Sequence, residues 1–198
     1  MRVLRNGVGL AVCALLVLHT AEARELSIAK VTDKVACVFT PACAVVVTDT
    51  TGYYSLFGNS GHGRLLTRSY PGMPGSQAAG LTGYSFNLDM MASMALGSPN
   101  CVVRLTLDTG PLMPLRYEGG KTADLFVVDG SGVGIASAGQ NGGKTTITFA
   151  RPLCPGSKTT GQSLYFGFAA RNPPVPGKGM VTGSLQGTAE VAVRLPKH

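Results

Sequence analysis

Ala189-Glu190-Val191-Ala192-Val193-Arg194-Leu195 sends Ala189, Val191, Val193 and Leu195 one way and Glu190 and Arg194 the other. Alternation with a period of two is the mark of a half-buried β-strand, because successive side chains on an extended backbone point to opposite faces. The same pattern recurs upstream in Thr145-Thr146-Ile147-Thr148-Phe149 and in Leu164-Tyr165-Phe166-Gly167-Phe168. It recurs again where Val103, Leu105 and Leu107 alternate with Arg104, Thr106 and Asp108, and where Tyr84, Phe86 and Leu88 share a face of Gly83–Asp89.

Further extended candidates are Ala44–Thr48, Tyr53–Phe57 and Arg64–Tyr70, the last two set around a Gly58-Asn59-Ser60-Gly61 turn. Leu125–Val128 is a short apolar run that reads as buried on both faces. The Pro- and Gly-rich pieces Tyr70–Ser76 and Asn172–Gly177 read as loops. Short strands at this density, punctuated by glycine and proline, predict an all-β antiparallel β-sandwich, immunoglobulin-like or jelly-roll-like. One short helix is expected between Leu88 and Leu96, with Met91 and Met94 packed on the core.

The N-terminus carries Arg2 and Arg5, then the apolar stretch Gly7–Leu18, then Ala21-Glu22-Ala23 before Arg24. A basic start, a dozen apolar residues and small residues at −3 and −1 spell a secretory signal peptide over residues 1–23, too short an apolar run for a membrane span. A single domain over 24–198 is then expected, secreted or periplasmic, with no membrane span after cleavage. The 198 residues fall to 175, and the 17 basic and 10 acidic residues fall to 15 and 9, a balance of +6. The cations are scattered and charged residues make up 14% of the chain, so the clustered basic footprint of a nucleic-acid binder is missing.

Cys13 leaves with the leader, and Cys37, Cys43, Cys101 and Cys154 remain. An even count in an exported chain implies two disulfides, with three possible pairings. The Thr40-Pro41 turn favours Cys37–Cys43 as a local closure, and Cys101–Cys154 is expected to tie strands far apart in sequence. The spacing is not that of a zinc site, and no metal or cofactor is expected.

Chemical motifs are sparse. Ala138-Gly139-Gln140-Asn141-Gly142-Gly143-Lys144-Thr145 imitates a phosphate loop, with Ala at its first position, but a strand follows it where a helix is needed, and Asn-Gly-Gly suits a hairpin turn. Beyond the leader the imidazoles are His62, between glycines, and the terminal His198, and no Gly-x-Ser-x-Gly elbow accompanies them. Ser27 and Lys30 have the spacing of a Ser-Lys pair, but sit in an expected first strand. Asp124 and Asp129 bracket one strand, and no acid–base carboxylate pair stands out. No catalytic residue is assigned.

The segments Tyr84–Asp89, Asn100–Pro111, Asp124–Asp129, Gly132–Ser137, Ile147–Gly156 and Leu164–Phe168 together resemble a loose group of secreted bacterial β-sandwich domains. Many of that group stand before a PEP-CTERM-type sorting tail. The resemblance implies a sandwich fold and favours Cys101 pairing with Cys154, and it implies no common activity. The chain ends in Pro196-Lys197-His198 without such a tail, which points to free release or a periplasmic stay.

The expected function is non-enzymatic: an extracellular or periplasmic sandwich with a structural or adhesive role, meeting an extracellular glycan or protein. A glycan-binding module using Tyr53 and Tyr54, with His62 beside them, is the alternative. A hydrolase with an unrecognised site is the third reading.

Overall fold

The computed structural model describes residues 23–32, 48–117 and 120–198. Residues 1–22 of the expected signal peptide, together with Cys37, Cys43 and the closure expected between them, lie outside the described residues, as does most of Ala44–Thr48. Two six-stranded sheets dominate. The first runs β1 (Arg24–Glu25), β12 (Ile135–Asn141), β13 (Lys144–Leu153), β8 (Val102–Asp108), β15 (Pro174–Gly183), β16 (Thr188–Pro196), antiparallel throughout. The second runs β2 (Ile28–Val31), β11 (Leu125–Val128), β14 (Phe166–Ala170), β6 (Thr82–Asp89), β5 (Gly63–Pro71), β3 (Thr48–Tyr54). Two short ribbons pair β4 (Asn59–Gly61) with β7 (Ser93–Ala95), and β9 (Leu115–Arg116) with β10 (Thr122–Ala123).

The alternation read from sequence builds the core. Leu105, Leu107, Ile147, Phe149, Val181, Val191, Val193 and Leu195 of the first sheet face Leu65, Tyr84, Phe86, Leu88, Leu125, Phe166 and Phe168 of the second. Aromatic rings join the layers. Phe166 stacks with Phe86 at 5.8 Å, and meets Phe149 of the opposite sheet edge-on at 6.0 Å.

Leu125–Val128 is buried on both faces, as its composition predicts. Leu125 and Val127 enter the main core, while Phe126 joins a second cluster with Ala29, Val31, Tyr70, Leu115, Tyr117 and Ala169. That cluster covers the back of the second sheet. The polar alternates of β6 are buried there too, and are satisfied. Ser85 bonds the Tyr70 hydroxyl, and the Asn87 amide donates to the Ser163 carbonyl.

The N-terminal segment changes sheets between β1 and β2, so β2 pairs parallel with β11, a departure from the wholly antiparallel expectation. Asp124 holds the crossing. Its carboxylate accepts from the Ser27 amide (2.9 Å), the Ser27 hydroxyl (2.7 Å) and both terminal nitrogens of Arg24 (3.0 Å). Burial alone would raise this carboxyl, but the Ser27 and Arg24 bonds outweigh it and hold it below its ordinary value. Its contribution is therefore complete above the unfolded value of about 4 and fades as pH falls through the lower folded value. Asp124→Asn is expected to cost about 2–3 kcal/mol at neutral pH. In urea titrations at pH 7 and pH 3, the parent should lose more stability on acidification than the variant.

Two expectations are corrected. The described residues hold no α-helix: Asp89 leads through a tight turn into β7, and that turn is set by the Asp89 carboxylate accepting the Met91 amide (2.6 Å). Met90 is the methionine that packs on the core, while Met91 and Met94 are exposed. Asn172–Gly177 is not all loop, since Pro174 and Pro176 begin β15. They pair with β16 alone, and β8 joins only from Gly179 onward, so the missing amide hydrogens fall where β15 has one neighbour. The Asn141–Lys144 hairpin follows the sequence reading, with Gly142 and Gly143 at φ 54° and 82°. Gly52 of β3 serves a different need: a Cβ there would stand 1.9 Å from the Ala192 carbonyl oxygen, so only glycine lets the β3 and β16 edges close together.

Candidate functional site

Among the described residues, strand registers carry five loops to one end of the sandwich, one of them the 129–134 loop between β11 and β12, which bridges to Ser163. β3 ends there at Tyr54, paired with Gly63 where β5 begins, and β6 ends there at Asp89 opposite Arg64. β8 starts there at Val102 beside the ends of β13 (Leu153) and β15 (Gly183). Cys101 and Cys154 are bonded at this end, 53 residues apart in sequence yet flanking adjacent strands of one sheet.

Asn100, fully buried, is the hub of these loops. Its side-chain nitrogen donates to the Phe57 carbonyl (3.0 Å) and the Gln186 carbonyl (2.9 Å), and its side-chain oxygen accepts from the Leu185 amide (3.1 Å). Asn59 returns the contact, donating to the Asn100 carbonyl (2.8 Å) and accepting its amide (3.3 Å). The Leu96 amide donates to the Gly58 carbonyl (3.0 Å), and Ser184 bonds both ways with the Cys101 backbone. Every polar group of the hub is used, so the loops are held in one arrangement.

What this scaffold presents is apolar. Phe57 is 74% exposed, Leu96 73% and Leu185 59%, and they line a recess of about 420 Å³. Tyr53, Met91 and Met94 are also exposed, on segments that end or turn at the same end. Among the described residues, six of the seven exposed large hydrophobic side chains thus gather at this end, the seventh being Met180 on the first sheet. Isolated exposed apolar residues need no explanation, whereas a contiguous group does.

The ligand residues expected from sequence are only partly brought together. Tyr53 and His62 meet edge to face at 4.7 Å, both exposed, beside the Arg64–Asp89 ion pair. Tyr54 does not join them. Neighbours on a strand point to opposite faces, and Tyr54 is buried, its hydroxyl donating to the Met90 sulfur (3.0 Å). Burial, then the nearby Asp89 charge, raises its phenol, so it stays a donor. A platform of two adjacent tyrosines is therefore not formed. Sequence reasoning missed Phe57, Leu96, Leu185 and Asn100. The available signal was a large apolar residue one or two positions before a turn glycine, as in Phe57-Gly58, Leu96-Gly97 and Leu185-Gln186-Gly187.

The chemistry-bearing residues are spent on structure. Asp89 and Asp124 are engaged by Arg64 and Arg24, and Ser27 by Asp124. Ser27 and Lys30 are three residues apart across extended backbone, roughly 10 Å, beyond proton-transfer reach. Ser60 donates to the Met94 carbonyl (3.4 Å), not to His62. His198 lies at the opposite end, its Nε2 2.9 Å from the Asp108 carbonyl, in a second recess beside the Gly142-Gly143 turn. Among the described residues no three His, Cys, Asp or Glu side chains cluster as a metal site. No family model matches this chain, and neither the curated proteins nor the solved structures yield a match to it.

Proposed function

We propose that this protein is an exported, non-catalytic β-sandwich that works by adhesion, presenting its disulfide-bearing end to the cell envelope or the matrix around it. The gathering of Phe57, Leu96, Leu185, Met94, Met91 and Tyr53 at one end carries this reading. Water-exposed apolar area of that kind is costly unless a partner covers it. The loops bearing it are fixed beforehand by Asn100 and by Cys101–Cys154, so little ordering cost falls on the binding step. The signal-like composition of residues 1–23 and the Cys101–Cys154 bond support export. The packing of His62 on Tyr53, with Ser60 bonded instead to the Met94 carbonyl, supports a role without catalysis.

The test is a panel of ester, glycoside and peptide substrates offered to the purified protein. No turnover above buffer is expected. Turnover that disappears in His62→Ala would remove the reading.

A further inference from the structure

We propose that Cys101–Cys154 is a redox latch: a dithiol opens it by attack at Cys154, and opening disperses the apolar end. The inference rests on the adhesive reading above and names how adhesion by that end is regulated. Its first observation is what the bond holds. Cys101 follows Asn100, which ties the Phe57, Leu185 and Gln186 backbones together, and Cys101 itself bonds Ser184 in both directions. The common anchor of the loops that carry Phe57 and Leu185 is thus adjacent in sequence to one of the two sulfurs, and Leu96 stands five positions before it.

The second observation is access. Cys101 is buried, whereas Cys154 is partly exposed and opens a loop in which Gly156, Lys158 and Thr159 are exposed. Backbone support around Cys154 is local. Its amide donates to the Thr160 carbonyl (3.0 Å), and its carbonyl accepts from the Ser157 amide (3.5 Å). On its other side the β13–β8 ladder has slipped between Thr148 and Leu153. Local turns and an irregular strand end open at lower free energy than the centre of a sheet, so a reductant reaches this sulfur without unfolding the sandwich. Exposed disulfides are the exchangeable ones, and access decides which sulfur is attacked.

A thiolate of the dithiol bonds to the Cys154 sulfur, the Cys101–Cys154 bond breaks, and Cys101 leaves with the electron pair and takes up a proton. The second thiolate of the dithiol then bonds to the first sulfur of the same molecule, and Cys154 departs as a thiol. The dithiol is oxidised to a cyclic disulfide, and the protein gains two electrons and two protons. What changes in the protein is order, with the apolar side chains themselves unaltered. With the latch closed, Phe57, Leu96 and Leu185 are aligned on one recess before any partner arrives. With it open, that alignment has to be made at the binding step, and affinity falls accordingly.

The experiment exposes the purified, disulfide-bonded protein to dithiothreitol, and separately to glutathione, without denaturant. Peptide mass mapping then reads Cys101 and Cys154 apart from Cys37 and Cys43. Reduction of Cys101–Cys154 with the β-sheet circular dichroism retained is expected, and the glutathione adduct should sit on Cys154. The reduced protein should adhere to envelope fragments about tenfold or more weakly than the oxidised protein, and recover on reoxidation. Cys101→Ser/Cys154→Ser should adhere as weakly as the reduced parent and ignore dithiothreitol. A bond that stays intact until urea is added, an adduct on Cys101, collapse of the spectrum on reduction, or a dithiothreitol response that persists in the double variant overturns the latch. Equal adherence of oxidised and reduced protein also overturns it, and leaves the adhesive reading standing. No adherence by the oxidised protein removes that reading, and the latch with it.

Discussion

Phe166→Ala is expected to destabilise the fold by about 3–5 kcal/mol, the range for removing a fully buried aromatic ring. Phe166 is inaccessible to solvent, stacks within its own sheet on Phe86, which in turn meets Phe168, and meets Phe149 across the interior. Its loss removes apolar contact from both layers and leaves a cavity that β-sheet backbones, hydrogen-bonded on either side, cannot close. Urea unfolding followed by circular dichroism reads the change as a lower midpoint. Phe166→Leu should recover much of the loss, because volume is largely restored.

Cys101→Ala/Cys154→Ala is expected to cost about 4 kcal/mol, the chain-entropy value for a closed loop of this length. The bond spans 53 residues of sequence. Its local setting adds a second consequence. The β13–β8 ladder runs in register to Thr148 opposite Arg104, then skips to Leu153 opposite Val102, so three extra residues bulge from β13. The disulfide lies beyond that irregularity, where backbone pairing is weakest. Without it the loops gathered by Asn100 should exchange amide hydrogens faster, while the centre of the sheets stays protected. Hydrogen exchange on the reduced and oxidised protein measures both effects.

The strands were legible wherever one face is apolar and the other polar, as in Val103–Asp108, Thr145–Phe149 and Ala189–Leu195. β6 shows why the reading stops there. Tyr84, Phe86 and Leu88 announce the core face, but Ser85, Asn87 and Asp89 look solvent-facing, and only their tertiary partners Tyr70, Ser163 and Arg64 explain their burial. The β4–β7 ribbon was illegible for a related reason. Asn59-Ser60-Gly61 has turn composition, and its strand geometry comes from pairing with a segment more than thirty residues away. Pro174 and Pro176 read as loop because proline is excluded from central strands, and a strand with a neighbour on one side escapes that rule.

The candidate site was hardly legible at all. Tyr53 and His62 were found as exposed rings, but pairing Tyr53 with Tyr54 overlooked the two-residue period of the strand that carries them. Phe57, Leu96 and Leu185 stand alone in their own stretches of sequence, 39 and 89 positions apart. They become a surface only because β3, β8 and β15 bring their flanking loops to one end. Asn100 gives no local sign of being the hub, since its partners Phe57, Leu185 and Gln186 lie more than forty residues away on either side.

Methionine oxidation footprinting tests the working surface most directly. The protein would be treated with dilute peroxide, free and then bound to envelope fragments, and the sulfoxide at each methionine quantified. Met91 and Met94 sit at the apolar end, and Met180 is exposed on the face of the first sheet as an internal control. Binding should slow oxidation of Met91 and Met94 and leave Met180 unchanged. Protection of Met180 with Met91 and Met94 still reacting would place the contact elsewhere and contradict the account.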